Sequence, residues 1–221
     1  MTVTEAMEQR HSVRSYLDRS IEQDVIAALT AEIEACNTES GMNIQLITGE
    51  PNAFKSFLVH YGRFRGVNNY IALVGKESDD LAEQAGYFGQ RIVLKAQQLG
   101  LNTCWVAASY SRDKCTAKVQ EGESLVCVIS LGYGTTQGSP HKNKPLDKIC
   151  AMDDTAPEWF RSGVQAAVLA PTALNRQNFY ISQSDGAVRV ESKENSYSKL
   201  DLGIVKYHFE MGAGKDNFTW A

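Results

Sequence analysis

Apolar positions along this chain recur at two periods, and each change of period marks a boundary between elements. From Ser20 to about Ala35, "SIEQDVIAALTAEIEA" places apolar residues at 21, 25, 26, 29 and 33. That spacing predicts an amphipathic helix with Ser20 as its candidate N-cap. "NIQLITG" (43–49) and "NYIALVG" (69–75) are short apolar runs stopped by glycine, which predicts buried strands. The segment between them, including "FLVHYGRFRG", reads as a helix and a loop. The longest helical pattern runs from Asp79 to Leu99, opened by acidic residues that suit the positive end of the helix dipole and closed by Gly100. Gly86 and Gly89 inside it cost helix propensity, so they mark either a close approach by another backbone or a ligand, or simple packing. "NTCWVAA" (102–108) reads as a strand or a loop, and "ESLVCVISLGYG" (123–134) as a strongly apolar strand ending in a glycine turn. A loop carrying "HKNKP" follows. Strands and helices mixed in this way predict an α+β or α/β domain with layered packing.

Past Asp153 the pattern begins again. "EWFRSGVQAAVLAPTALNRQNFYI" gives a helix, a proline-marked turn and a strand, in parallel with "AALTAEIEACNTESGMNIQLITG". The two share S/T-x-x-N-x-Q, formed by Ser40, Asn43 and Gln45 and then by Thr172, Asn175 and Gln177. A looser parallel sets residues 85–105 beside 200–220, both helical, both interrupted by glycine and both ending on tryptophan. The common order predicts a degenerate internal duplication, with a first copy over 1–152 and a partial second copy over 153–221.

Composition narrows the class. With 221 residues, 43% hydrophobic and 22% charged, the chain is long enough for one substantial core or two small ones. A net charge of -4 argues against a general nucleic-acid binder. The first residues show no apolar leader, and no stretch reaches the roughly 18 to 20 apolar residues that span a bilayer, so a cytoplasmic protein is expected. The five cysteines form no C-x-x-C pair and read as reduced packing residues, without a disulfide framework or a metal site.

The chemistry begins at "EQRHSVRSY" (8–16). In an extended segment Arg10, Ser12 and Arg14 share one face, where two guanidinium forks and a hydroxyl suit a phosphate, although exposed arginines also simply solvate a surface. "RHSVRSY", "KAQQLGLNTCWVA" (95–107), "LGYG" (131–134), "KNKP" (142–145) and "APTALNRQNFYI" (170–181) occur together over most of the chain. This combination resembles the FMN-dependent nitroreductase family, in particular its branch with a partial internal duplication.

The resemblance implies one FMN per chain. It implies phosphate or pyrimidine contacts from Arg10, Ser12 and Arg14, a largely backbone contribution from His11, and phosphate neutralisation by Lys142 and Lys144, which also read as a solvated loop. It places Ala107 and Ala108 near the reactive flavin nitrogen, and Pro171, Thr172 and Asn175 by the ring or ribityl, a segment that family dimers donate across their interface. Thr172 equally reads as a simple turn residue. Arg63 or Arg65 is a further candidate for the cofactor. Departures are Glu39 where the first copy would have proline, Thr172 for serine, Asn178 for proline, and a Lys-x-Lys pair that lacks bidentate geometry.

The second, pseudo-symmetric site has no arginine segment and is expected to be dead. The activity implied is oxidoreduction, with NADH or NADPH as transient hydride donor and a small-molecule acceptor such as a nitroaromatic or quinone. No side-chain nucleophile is needed, because the flavin carries the redox chemistry. A non-catalytic flavin-binding or regulatory module is the alternative. A monomer and a homodimer both remain open.

Overall fold

The computed structural model describes residues 1–55, 63–140, 142–153, 155–192 and 197–221. They fall into two compact units, each discontinuous in sequence. Gln9–Leu81 with Ile92–Pro140 forms one, here the four-stranded unit. Met1–Glu8, Ala82–Arg91 and His141–Ala221 form the other, the three-stranded unit.

Helix α1 (Val3–Gln9) was not visible as a hydrophobic period. It is started by a reciprocal cap in which Thr2 Oγ1 accepts from the Glu5 amide at 3.2 Å and Glu5 Oε2 accepts from the Thr2 amide at 2.7 Å. Helix α2 (Gln23–Ser40) starts later than Ser20 and runs past Ala35. Ser20 does not cap it: Glu22 holds that place, its carboxylate taken by Arg19 and by the Tyr133 hydroxyl. At the far end Thr38 and Ser40 donate back to the carbonyls of Glu34 and Cys36, and Gly41 closes the helix at φ 71.

The four-stranded sheet comprises β1 (Gln45–Ile47), β2 (Asn69–Lys76), β3 (Asn102–Val106) and β4 (Glu123–Gly132) in the order β1-β2-β4-β3, with all neighbours antiparallel. β2 is buried from Asn69 to Gly75, which explains why its sequence is a continuous apolar run. Gly75 does not stop this strand, which continues to Lys76. A Cβ at Gly75 would lie 2.7 Å from Leu81 Cδ1, so its smallness serves packing. Residues 102–106 are strand, and Ala107 begins the bend that follows. Of "FLVHYGRFRG", only 63–66 lie within the described residues, so the helix expected there lies largely outside them.

Helix α3 (Leu81–Gln98) ends as expected before Gly100, which has φ 81, and its residues 82–91 belong to the three-stranded unit. That unit adds α4 (Glu158–Val168), β5 (Phe179–Ser184), β6 (Ala187–Ser192), α5 (Ser198–Ala213) and β7 (Thr219–Trp220). β5 and β6 form an antiparallel hairpin around Asp185-Gly186, both at positive φ (51 and 79), and β7 joins β6 in parallel. Asp-Gly is the strongest short hairpin signal, yet the pattern reading of the sequence did not yield β6.

Within this unit α3 crosses α5 at two glycines. A Cβ on Gly86 would overlap the Leu200 carbonyl oxygen, and one on Gly203 would overlap that of Glu83. The contacts are reciprocal, because each glycine meets the carbonyl three residues before the other. Gly86 is thus the close backbone approach that its cost in a helix suggested. Around the crossing Lys206 pairs with Glu83, the Tyr87 hydroxyl donates to Glu210 at 2.5 Å, and Gln90 Nε2 bonds His208 Nε2 at 2.8 Å. Trp220 Nε1 donates to the other Glu210 oxygen at 2.8 Å, tying β7 to α5.

In chain order the elements run α2-β1-β2-α3-β3 and, later, α4-β5-β6-α5-β7. β4 has no counterpart in the second series among the described residues. No disulfide joins the five cysteines, four of which are buried. Among the described residues no helix is long and apolar enough to cross a membrane, and no metal-binding cluster is present.

Candidate functional site

In the four-stranded unit, residues 12–17 are held by backbone pairing. The Val13 amide donates to Thr103 O at 3.0 Å, Tyr16 and Arg14 bracket Arg65 at 3.0 and 2.8 Å, and Leu17 donates to Tyr133 O at 2.8 Å. Ser12 and Arg14 lie in this run, and Arg10 shortly precedes it. All three act on the Cys104 thiol, which burial pushes up and which Arg14, a hydrogen bond with Ser12, and Arg10 pull down. Gly138, at φ 76, lies against the segment, and a Cβ there would fall 2.7 Å from His11 Cβ.

Arg10 is the unusual member. It is 3% exposed, and its Nε has no hydrogen-bond partner among the described residues. Burial pushes its guanidinium down to about 10. Such a group costs free energy unless something satisfies it. An oxyanion fits: the buried Nε lacks the acceptor that a phosphate or a ring carbonyl oxygen supplies. Arg14 is exposed beside it, and Ser12 is half-buried. Arg63 is exposed at φ 57, while Arg65 is fixed to the arginine segment by its backbone. Ala107 and Ala108 immediately follow β3, where small side chains leave the backbone approachable.

In the three-stranded unit, the turn after α4 gathers Pro171, Thr172, Asn175, Lys142 and Lys144. Thr172 Oγ1 accepts from the Gln177 amide at 2.9 Å, and Asn175 Nδ2 donates to Lys142 O at 3.0 Å. Gln177, 1% exposed, accepts from the Lys144 amide at 2.6 Å and donates to Val168 O at 2.8 Å. Lys144 Nζ donates to Gln177 O at 3.0 Å, which leaves it other N–H groups for an anion. Asp201, on α5, accepts the Ala173 amide on both carboxylate oxygens at 3.0 and 3.1 Å.

These bonds hold a strained backbone. Leu174, Asn175 and Gln177 all lie at positive φ (54, 52 and 42), and Leu174 is 82% exposed. Each such residue costs about 1–3 kcal/mol and persists only where its surroundings over-determine it. Gln177→Ala would leave the Val168 carbonyl and the Lys144 amide unpaired. It is expected to lower stability by about 2–3 kcal/mol, measured as a drop in the urea midpoint at unchanged slope.

Arg10, His11, Ser12, Arg14, Arg63, Ala107 and Ala108 thus belong to the four-stranded unit, and Lys142, Lys144, Pro171, Thr172 and Asn175 to the three-stranded unit. The sequence reading missed Asp201 and Cys104, and it used Gln177 only as a mark of the repeat. Asp201 acts from 28 residues away through a backbone amide, a relation with no local signature.

The comparisons agree with the fold. The family model described as "Putative TM nitroreductase" matches residues 2–213, and the chain belongs to this nitroreductase family. A solved structure described as a putative nitroreductase from Thermotoga maritima is 24% identical, with a TM-score of 0.69 over 98% of this chain and 85% of that one. One from Desulfovibrio desulfuricans, described as a putative nitroreductase in complex with FMN, is 19% identical, with a TM-score of 0.54 over 71% of this chain and 99% of that one. An FMN-dependent nitroreductase from Clostridium difficile is 18% identical, with a TM-score of 0.50 over 62% and 90%. At these identities the likeness to solved structures is one of fold. No curated protein matches significantly.

Proposed function

We propose that the chain binds one FMN and works as an NAD(P)H-dependent oxidoreductase on a small acceptor such as a nitroaromatic or a quinone. The observation that carries this reading is the buried Arg10 with its Nε left without an acceptor. Family membership and the FMN complex of the Desulfovibrio relative support the choice of anion. Bound FMN would supply the hydride and electron chemistry. The chain's own residues position and polarise it.

Arg10 and Arg14 offer planar donor forks, and Ser12 a hydroxyl, to phosphate or to the pyrimidine oxygens. Lys142 and Lys144 add positive charge. Thr172 and Asn175 hydrogen-bond the ring or ribityl from a turn that is already ordered, so less entropy is lost when the ligand arrives. Arg63, Ala107 and Ala108 keep the places that the family resemblance gives them.

We further infer that the chain descends from a duplication over 1–152 and 153–221. Its support is threefold. The order of elements repeats, and Gly86 and Gly203 exchange contacts reciprocally. The asparagine and glutamine of the S/T-x-x-N-x-Q pair bond lysine backbone in both places: Gln45 accepts the Lys118 amide at 2.8 Å and Asn43 donates to Lys118 O at 3.3 Å, while Gln177 accepts the Lys144 amide and Asn175 donates to Lys142 O. The second copy has no arginine segment, so one FMN per chain follows.

The test is a titration of the purified protein with FMN, followed by anaerobic NADH and NADPH. Flavin bands that saturate at one per chain and bleach on nicotinamide addition are the expected result. Binding without bleaching would make the chain a flavin-binding module, and no binding would remove the cofactor altogether.

A further inference from the structure

Asp201 has no part in the roles assigned above, yet it is among the most constrained carboxylates of the chain. It lies in the first turn of α5, 8% exposed, and both of its oxygens face the Ala173 amide. Ala173 opens the short 3-10 turn Ala173–Asn175, which Thr172 precedes in extended conformation, and no side chain of the turn itself caps it. Asp201 supplies that missing cap from a separate helix.

The carboxylate is held at a cost. Burial pushes it up to about 6, opposed only in part by the Ala173 N–H. A folded-state value raised in this way means that stability falls as pH rises from about 4 through 6, and at neutral pH the charge works against folding. A group that burdens the fold at neutral pH while fixing one amide of a strained turn is better explained by what that turn does than by stability.

We propose that Asp201 is a positioning residue for the flavin-contacting turn, fixing the Ala173 amide so that Thr172 and Asn175 are ordered before the ligand arrives. The inference rests on the flavin reading above. Ionised aspartate accepts the amide on two oxygens. Asparagine would keep one acceptor and lose the charge, and alanine would lose both.

The experiment compares wild type, Asp201→Asn and Asp201→Ala by FMN titration, by the visible spectrum at saturating FMN and by melting of the FMN-free protein. Asp201→Ala is expected to weaken FMN binding about tenfold, the loss of one charge-assisted hydrogen bond, and to shift the flavin bands. Asp201→Asn should stay within about threefold of wild type and melt no lower than wild type at pH 7.5. Should Asp201→Ala not fold, Ala173→Pro removes the same hydrogen bond from the donor side. Proline is compatible there because Thr172 is already extended (φ -130, ψ 161), and the same loss of affinity is expected.

Wild-type affinity and spectrum in Asp201→Ala, or in Ala173→Pro, would overturn the proposal. So would a parallel fall of affinity and melting temperature in both Asp201 variants with an unchanged spectrum, since that is what a merely structural carboxylate gives. If the wild type itself fails to bind FMN, the flavin reading falls and this inference with it, an outcome distinct from unaltered binding by the variants.

Discussion

Arg10→Met is expected to weaken FMN binding by roughly ten- to a hundredfold and, in the same protein, to raise the melting temperature of the FMN-free chain. The opposite signs follow from one feature. Arg10 is buried with its Nε unpartnered, so the ligand-free protein carries a desolvation cost that Cys104 offsets only in part. Burial lowers the guanidinium from its ordinary value to about 10, a penalty of roughly 3 kcal/mol at neutral pH. Because the folded value is the depressed one, this penalty is present throughout the range below pH 10 and fades only as pH rises through 10 towards the ordinary arginine value.

Methionine keeps an unbranched apolar stem and removes the charge. At about 2–4 °C per kcal/mol for a chain of this size, and allowing for imperfect repacking, a rise of about 3–6 °C is expected. An oxyanion would lose a charge-assisted fork that lysine cannot fully replace, so Arg10→Lys should fall between wild type and Arg10→Met in affinity. Fluorescence quenching of FMN and thermal melting of the ligand-free protein measure the two effects. Unchanged affinity would remove Arg10 from the phosphate assignment. A lower melting temperature would mean that the arginine is already compensated without ligand.

Arg10 also shows where sequence reading stops. The spacing of Arg10, Ser12 and Arg14 is enough to put three donors on one face, because the period of an extended chain depends on backbone geometry alone. What separates Arg10 from Arg14 is burial, and burial depends on which elements pack over a residue. The same division runs through the fold. Long periodic helices and continuous apolar strands declare themselves, as α3, β2 and β4 do, since their pattern is set by the face or faces they bury. Signals carried by one or two residues are easily passed over: the Thr2/Glu5 reciprocal cap of α1 and the Asp185-Gly186 turn of the β5–β6 hairpin were both present in the sequence.

The start of α2 went the other way. Ser20 is a good cap by type, but the cap position falls two residues later, at Glu22, whose carboxylate is held by Arg19 and Tyr133. Long-range relations such as Asp201 with Ala173 have no trace in local spacing at all. The same holds for the Cys104 thiol under the arginine face, which looked like any other packing cysteine.

Gly86→Ala and Gly203→Ala are each expected to lower the melting temperature by about 5–10 °C, and the double variant by clearly less than the sum. Alanine is the better helix former by about 1 kcal/mol, so on propensity alone both changes would stabilise. The crossing decides the sign. Each new methyl would sit on the partner helix's backbone carbonyl, which has no rotamer to move, and α3 and α5 would have to separate. Overpacking of a tight contact costs about 1–3 kcal/mol, occasionally more, and separating the helices also loosens the bonds from Tyr87 to Glu210 and from Gln90 to His208.

The predicted coupling comes from reciprocity. Gly86 meets Leu200 O and Gly203 meets Glu83 O across a single crossing, so the separation forced by one methyl relieves much of the clash made by the other. A duplicated ancestor with a symmetric helix pair predicts nearly equal single costs and strong coupling. Additive costs would show two unrelated contacts, and melting within about 1 °C of wild type, well inside the expected cost, would show that the helices part freely. In either case the reciprocal crossing would no longer support descent from a symmetric dimer. Because α5 also carries Asp201, separation at Gly203 should lower FMN affinity as well, joining the stability of the crossing to the order of the turn that holds Thr172 and Asn175.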